Sequence, residues 1–99
     1  MASFVDRYDF HLLKNEAEQL VIQELERQLA THDDDFCRCN ECILDMAAMA
    51  FNVVRPMYRF SLMGALYAAQ AMDDQDYAEN VKQAVAQAID KVKSNPSHD

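Results

Sequence analysis

Glycine occurs once and proline twice in these 99 residues, and tryptophan is absent. Chains rich in β-hairpins need both turn residues, because tight turns demand a positive φ or a fixed one. Their scarcity argues against a β-rich fold and favours helices joined by ordinary connections. A basic excess is missing too. Nine Lys and Arg stand against seventeen Asp and Glu, a formal net charge of −8. Phosphate contacts dominate nucleic-acid affinity, so general nucleic-acid binding is excluded. No apolar run approaches the ~18–20 residues that a membrane span needs. The segment Met1-Ala2-Ser3-Phe4-Val5-Asp6-Arg7 lacks the apolar core of a signal peptide. These absences together predict a cytoplasmic chain that does not enter a membrane. Cysteine is missing from the whole sequence except one short stretch.

What is present is apolar residue in helical register. Hydrophobic residues make up 51% of the chain, enough for one core in one small domain spanning residues 1–99. A domain of this size buries roughly 60–65% of its unfolded surface, so a metal or a partner subunit adds needed stability. Phe10, Leu13, Ala17, Leu20, Val21, Leu25 and Leu29 recur every three or four positions and predict a first helix over residues 10–30. Ile22 widens the stripe, as on a helix covered from more than one side, and His11 falls at its edge. Thr31-His32-Asp33-Asp34-Asp35 breaks the pattern as an acidic loop. Ile43, Met46, Ala47, Ala50, Val53 and Val54 predict a second helix over 41–54, with Asn40 as N-cap and Glu41 at the positive end of its dipole. Arg55-Pro56 stops it.

A connector to Phe60 leads to Ser61, the expected cap of a third helix carrying Leu62, Ala65, Leu66, Ala69 and Met72, with Gly64 suggesting a close crossing. One of Asp73, Asp74 and Asp76 should cap a fourth, carried by Tyr77, Val81, Ala84, Val85, Ala88 and Val92. Asn95-Pro96 ends it. The expected architecture is an all-α, four-helix domain with ordered helices from about residue 10 to 94 and a frayed tail over 95–99.

All three cysteines lie within six residues, in the spacing C-x-C-x-x-C: Cys37, Cys39 and Cys42. In the reducing cytosol, clustered thiols serve metal binding or redox work more often than structural disulfides. The second helix begins here, and a helix N-terminus favours the thiolate that ligates. Zn²⁺ takes four ligands in a structural site. Three are visible, and His32, His11, one of Asp33 to Asp35, a water or a partner's group could supply the fourth. Redox use and plain unliganded thiols are the other readings. An open fourth position would permit a zinc-dependent hydrolase, although no H-x-E or H-E-x-x-H signature accompanies the cysteines.

A second constellation is basic. Arg38, Arg55 and Arg59 flank the second helix, and Tyr58 and Phe60 adjoin Arg59. Guanidinium forks match phosphate oxygens, and rings stack on bases, so Arg38, Arg55, Tyr58 and Arg59 are the candidate residues for a small anionic ligand. The same arginines could instead pair with the acidic surface.

The order of features, from Glu16-Ala17-Glu18-Gln19-Leu20 through Cys37-x-Cys39-x-x-Cys42-x-x-Asp45-Met46-x-Ala48-x-Ala50-x-Asn52, Pro56-Met57-Tyr58 and Gly64-Ala65-Leu66-Tyr67 to Ala88-Ile89-Asp90-Lys91-Val92, resembles the late competence development ComFB family over residues 14 to 98. That resemblance implies a helical, dimeric, zinc-binding regulatory protein without enzymatic activity, with Cys37, Cys39 and Cys42 as metal ligands. It further implies a possible role as a receptor for cyclic di-GMP, linked to competence, motility or pili. Met57 stands where the family's proline-arginine-tyrosine triplet has arginine. A purely structural protein-interaction module with no small ligand is the remaining alternative.

Overall fold

The computed structural model describes residues 3–59 and 75–96. Among them are three α-helices: α1 (Glu16–Thr31), α2 (Asn40–Val53) and α3 (Gln75–Ser94). The expected third helix, from Ser61 with Gly64 near its start, lies outside the described residues. The long C-terminal α3 packs along both α1 and α2, and α1 closes the third side. The periodic residues meet in the middle. Val21, Cys42, Met46, Val85 and Ile89 are the largest fully buried side chains. Each such apolar burial is worth roughly 1.5–3 kcal/mol. The last helix follows the predicted spacing closely, with Tyr77, Val81, Val85, Ala88, Ile89 and Val92 buried.

Three expectations change. The first helix begins at Glu16, not near residue 10. Before it, Phe4–Arg7 and Phe10–Leu12 form two short 3₁₀ turns that bury no residue, and His11 sits in the second of them. The interruption has a local cause in Asn15. Its side-chain oxygen accepts from the Ala17 N–H at 3.1 Å, capping α1, and from the Met57 N–H at 2.7 Å. An N-cap needs extended backbone, and Asn15 has φ −97° and ψ 102°. Lys14–Asn15 (β1) therefore pairs antiparallel with Tyr58–Arg59 (β2), Lys14 opposite Arg59 and Asn15 opposite Tyr58. This two-residue ladder is a small departure from an all-α chain. It ties the start of α1 to the segment after α2, and the Glu16 N–H donating to the Met57 carbonyl at 2.7 Å reinforces it.

The second change is the cap of α2, which is Cys39 and not Asn40. The Cys39 Sγ accepts from the Cys42 N–H at 3.4 Å, and Asn40 is the first helical residue. The third is Ile22, which is exposed on this chain, not covered. Among the described residues, one polar side chain enters the core region. Gln28 donates to Glu24 on its own helix at 2.7 Å and to the Lys82 carbonyl of α3 at 2.9 Å, so it locks α1 against α3.

Candidate metal centre

The cysteine loop runs from the end of α1 to the start of α2, and its two ends place the three sulfurs together. Cys42 points from the first turn of α2 into the core and is fully buried, while Cys37 and Cys39 are half-buried on the loop side. All three are thiols, and their Sγ atoms lie within 4.8 Å of one another. A tetrahedral zinc with Zn–S bonds of about 2.3 Å sets sulfur–sulfur separations of roughly 3.8 Å. The cluster thus needs only a small contraction to hold an ion, and its donors are the soft ones such an ion prefers. Three close cysteines that could hold a metal are what the structure shows; His32 and Asp33 to Asp35 do not join that group.

The thiols differ in acidity for visible reasons. The Cys42 backbone N–H draws the Cys39 thiol down to about 7, with burial acting against it and the Cys37 side chain helping. Burial pushes the Cys42 thiol up to about 12, and the adjacent Cys37 and Cys39 sulfurs add to the rise. Cys39 is therefore readier than Cys42 to meet a cation. Cys42 surrenders its proton only when the cation is there to replace it.

A set of contacts that spacing did not reveal holds the loop still. α1 carries no basic residue in its last turn. Arg38 reaches back instead, its Nη1 donating to the Leu29 carbonyl at 2.8 Å and its Nη2 to the His32 carbonyl at 3.2 Å. This satisfies exposed carbonyls at the negative end of the helix. The same guanidinium sits 4.7 Å from the Phe36 ring centre, and the Lys93 ammonium of α3 sits 5.7 Å from it. Lys93 also donates to Asp34 at 2.6 Å, and Asp34 faces the His32 Nδ1 at 3.0 Å. Of the acidic run, Asp34 is thus the residue that anchors the loop to the last helix. No local pattern could have identified Lys93, which is 59 positions away.

The Lys93 ammonium, with His32 assisting, holds the Asp34 carboxyl well below the ordinary carboxylate range. The sign of its stability effect follows. The contribution is complete above the unfolded carboxylate pKa of about 3.9 and drains away as pH falls through and below that value. In metal-free protein, Lys93→Met should lower the melting temperature at neutral pH, and the gap from wild type should narrow steadily as the pH falls below about 4. A gap that stays constant with pH would show that Lys93 acts through packing alone. Added salt should narrow the gap at neutral pH, since the pair is exposed.

The basic constellation does not assemble as one site. Arg38 precedes α2 and Arg55 follows it, so a 14-residue helix, about 20 Å long, separates them. Arg38 is committed to loop carbonyls. Arg55 lies at the other end, its guanidinium 5.4 Å from the Tyr77 ring centre, while the Tyr77 hydroxyl donates to the Arg55 carbonyl at 2.7 Å. Tyr58 is exposed on β2, and the Arg59 backbone continues that strand. Beside Arg55 opens a groove of about 370 Å³ between the end of α2 and the first half of α3. Asn80, Gln83 and Gln87 line it, spaced as neighbours along one face of α3. Asp45 and Asn52, two turns apart on α2, line a separate cleft of about 620 Å³ with Met49, Asp90 and Lys91.

None of the helices among the described residues is long and apolar enough to cross a membrane. The model of the family described as "Late competence development protein ComFB" matches residues 14–96. The solved structure of the late competence protein ComFB from Bacillus subtilis is similar, with 26% identity and a TM-score of 0.63 over 86% of this chain and 94% of that one. No curated protein matches this chain.

Proposed function

The chain belongs to the ComFB family of late competence development proteins, and from that footing we propose that it is a non-enzymatic cytoplasmic regulator, built around a structural Zn²⁺ and working as a homodimer that binds cyclic di-GMP. Cys37, Cys39 and Cys42 hold the ion, and the signal passes to a protein partner in competence, motility or pilus assembly. The observation that carries the zinc reading is the three-sulfur cluster with its spread of acidities. When bound, the ion supplies fixed geometry: it ties the exit of α1 to the first turn of α2. Arg38, Phe36 and Lys93 orient the loop toward it, as outer contacts do around metal ligands.

For the ligand, support comes from the groove beside Arg55. Its guanidinium lies over the Tyr77 ring and shares the groove with the Asp76 carboxylate and a row of carboxamides, donors and acceptors suited to base edges, while the guanidinium charge suits a phosphate. Its volume is in the range of small-molecule sites. Tyr58 and Arg59 follow Arg55 closely in the chain. Arg38 belongs to the metal loop and not to this site. Met57, in place of the family's arginine, is buried beneath β2, so the guanidinium that the triplet would provide has to come from a flanking position. A ligand with two-fold symmetry also suits a symmetric homodimer, which presents each groove twice.

Thermal shift with cyclic di-GMP tests this. Binding to the native state alone raises stability by about 2.7 kcal/mol at a hundredfold excess over Kd, a rise of about 10–20 °C in melting temperature. Wild type should show that rise, and Arg55→Ala should lose most of it while keeping its metal. An unchanged wild-type curve would remove the cyclic dinucleotide and leave a protein-interaction module.

A further inference from the structure

The matched family region begins at residue 14, and the arm that precedes it has no place in that region. From Ser3 to Leu13 the arm makes two short 3₁₀ turns that bury nothing. Yet its composition is that of an interface. The rings of Phe4, Tyr8 and Phe10 cluster together, with centroids 4.9 Å (Phe4–Tyr8), 6.0 Å (Phe4–Phe10) and 6.4 Å (Tyr8–Phe10) apart. All three are exposed, Phe4 at 62%, and so are Val5, Leu12 and Leu13. A contiguous apolar patch of this kind marks an interaction site. The arm is not launched at random. The β1–β2 pairing and the two bonds to the Asn15 oxygen fix its root beside the end of α2. At that same end, Val53 is 71% and Tyr58 61% exposed.

We infer that the arm is a clasp for a second copy of this chain. It lies across the Val53 and Tyr58 surface of its partner, and the partner's arm returns the contact. The inference rests on the homodimer proposed above and says what builds it. Area favours a second copy over a fold-back or a foreign partner. Six apolar side chains at about half exposure offer roughly 600 Å² per arm. Reciprocal exchange counts that area twice and adds the surface the arms cover, about 2,000–2,500 Å² in total, the size of obligate homodimer interfaces. A two-fold exchange also satisfies both patches of one chain with the same pair of contacts, as isologous interfaces do. Charge permits it: the arm holds Asp6 and Asp9 against Arg7, so it adds little to the repulsion between two chains of net charge −8.

The test is sedimentation of the full chain over a range of concentrations, for wild type and for the triple variant Phe4→Ser, Tyr8→Ser, Phe10→Ser. None of these side chains is part of the buried core of one chain, so the variant should keep its helical circular dichroism and bound metal. Its dimer should dissociate at least 100-fold more readily. In parallel, p-benzoylphenylalanine in place of Tyr8, in a mixture of ¹⁴N- and ¹⁵N-labelled protein, should crosslink to residues 53–58 of the other copy and yield mixed-isotope products. A wild type that stays monomeric at every concentration would overturn the homodimer and the clasp together. A dimer unchanged in the triple variant, or crosslinks confined to one copy, would overturn the clasp and leave the dimer standing.

Discussion

Cys39→Ser should abolish stoichiometric metal binding while leaving the metal-free protein as stable as wild type, or slightly more so. The two halves of that result separate jobs that one sulfur performs. Cys39 caps α2 through its Sγ, which accepts from the Cys42 N–H. Serine is among the preferred N-caps, and its oxygen can accept the same bond, so the helix start survives the exchange. Cap replacements by a competent residue change stability by a few tenths of a kcal/mol, far below the ~1 kcal/mol lost when a cap is removed. As a zinc ligand, by contrast, a neutral serine hydroxyl is a poor substitute for thiolate, because zinc ligands must shed their protons and a hydroxyl does not at neutral pH. Loss of an outer-sphere contact alone costs 10–100-fold in metal affinity, so loss of this ligand should cost more than about 100-fold. Elemental analysis of protein purified without chelator reads the stoichiometry, and thermal melts with and without chelator read the stability. A C39S protein that keeps one metal per chain would mean that the three-sulfur cluster is not the site. One that loses stability even in chelator would mean that the sulfur matters as a packed core atom and not as a ligand.

The choice of cap also shows where sequence patterns stop carrying information. Helical spacing located α2 and α3 to within a residue or two, and with them the buried faces, because burial repeats at the helical period wherever one stripe meets the core. The cysteine spacing similarly located the cluster, since residues two and three apart at a helix start cannot be far from one another. Rank order of cap propensity favours Asn40 over Cys39. The loop leading into α2 overrides it by bringing the sulfur, not the amide, over the first free N–H groups. The start of α1 departs from the apolar period for a related reason. Phe10 and Leu13 continue the apolar period, but Asn15 trades helical continuity for two hydrogen bonds, one of them to Met57. The Met57 contact spans 42 positions, and the Lys93–Asp34 tie spans 59. Such pairings depend on how the elements come together, which no window of a dozen residues encodes. Arg38 and Arg55 stand apart for the same reason: flanking the two ends of a helix is not proximity in space.

Met46→Ala should make folding conditional on the metal. Met46 is fully buried and lies one turn after Cys42 on the same face of α2, so the two side chains are neighbours in the core. Truncating a buried methionine costs roughly 2–5 kcal/mol, the transfer energy of the lost atoms plus the cavity left behind. A domain of about 100 residues has only about 5–15 kcal/mol in hand, and a small one sits toward the bottom of that range. In chelator, the variant should therefore melt some 10–30 °C below wild type, or be substantially unfolded at room temperature. Metal reverses this by mass action. An ion at a thousandfold excess over its Kd contributes about 4 kcal/mol to any state that can bind it. The loaded variant should accordingly recover cooperative unfolding near the wild-type metal-free melting temperature. The same amount of metal added to the Met46→Ala, Cys39→Ser double variant should recover nothing. The double variant matters because unfolded chains with clustered cysteines also bind metal, which would erode the gain. Circular dichroism melts of the four proteins in chelator and in zinc resolve the cases. A Met46→Ala protein that gains no stability from added metal would show that the ion is held by a loop decoupled from the core. Rescue confined to chains with all three sulfurs would tie the buried face of α2 and the metal into one cooperative unit.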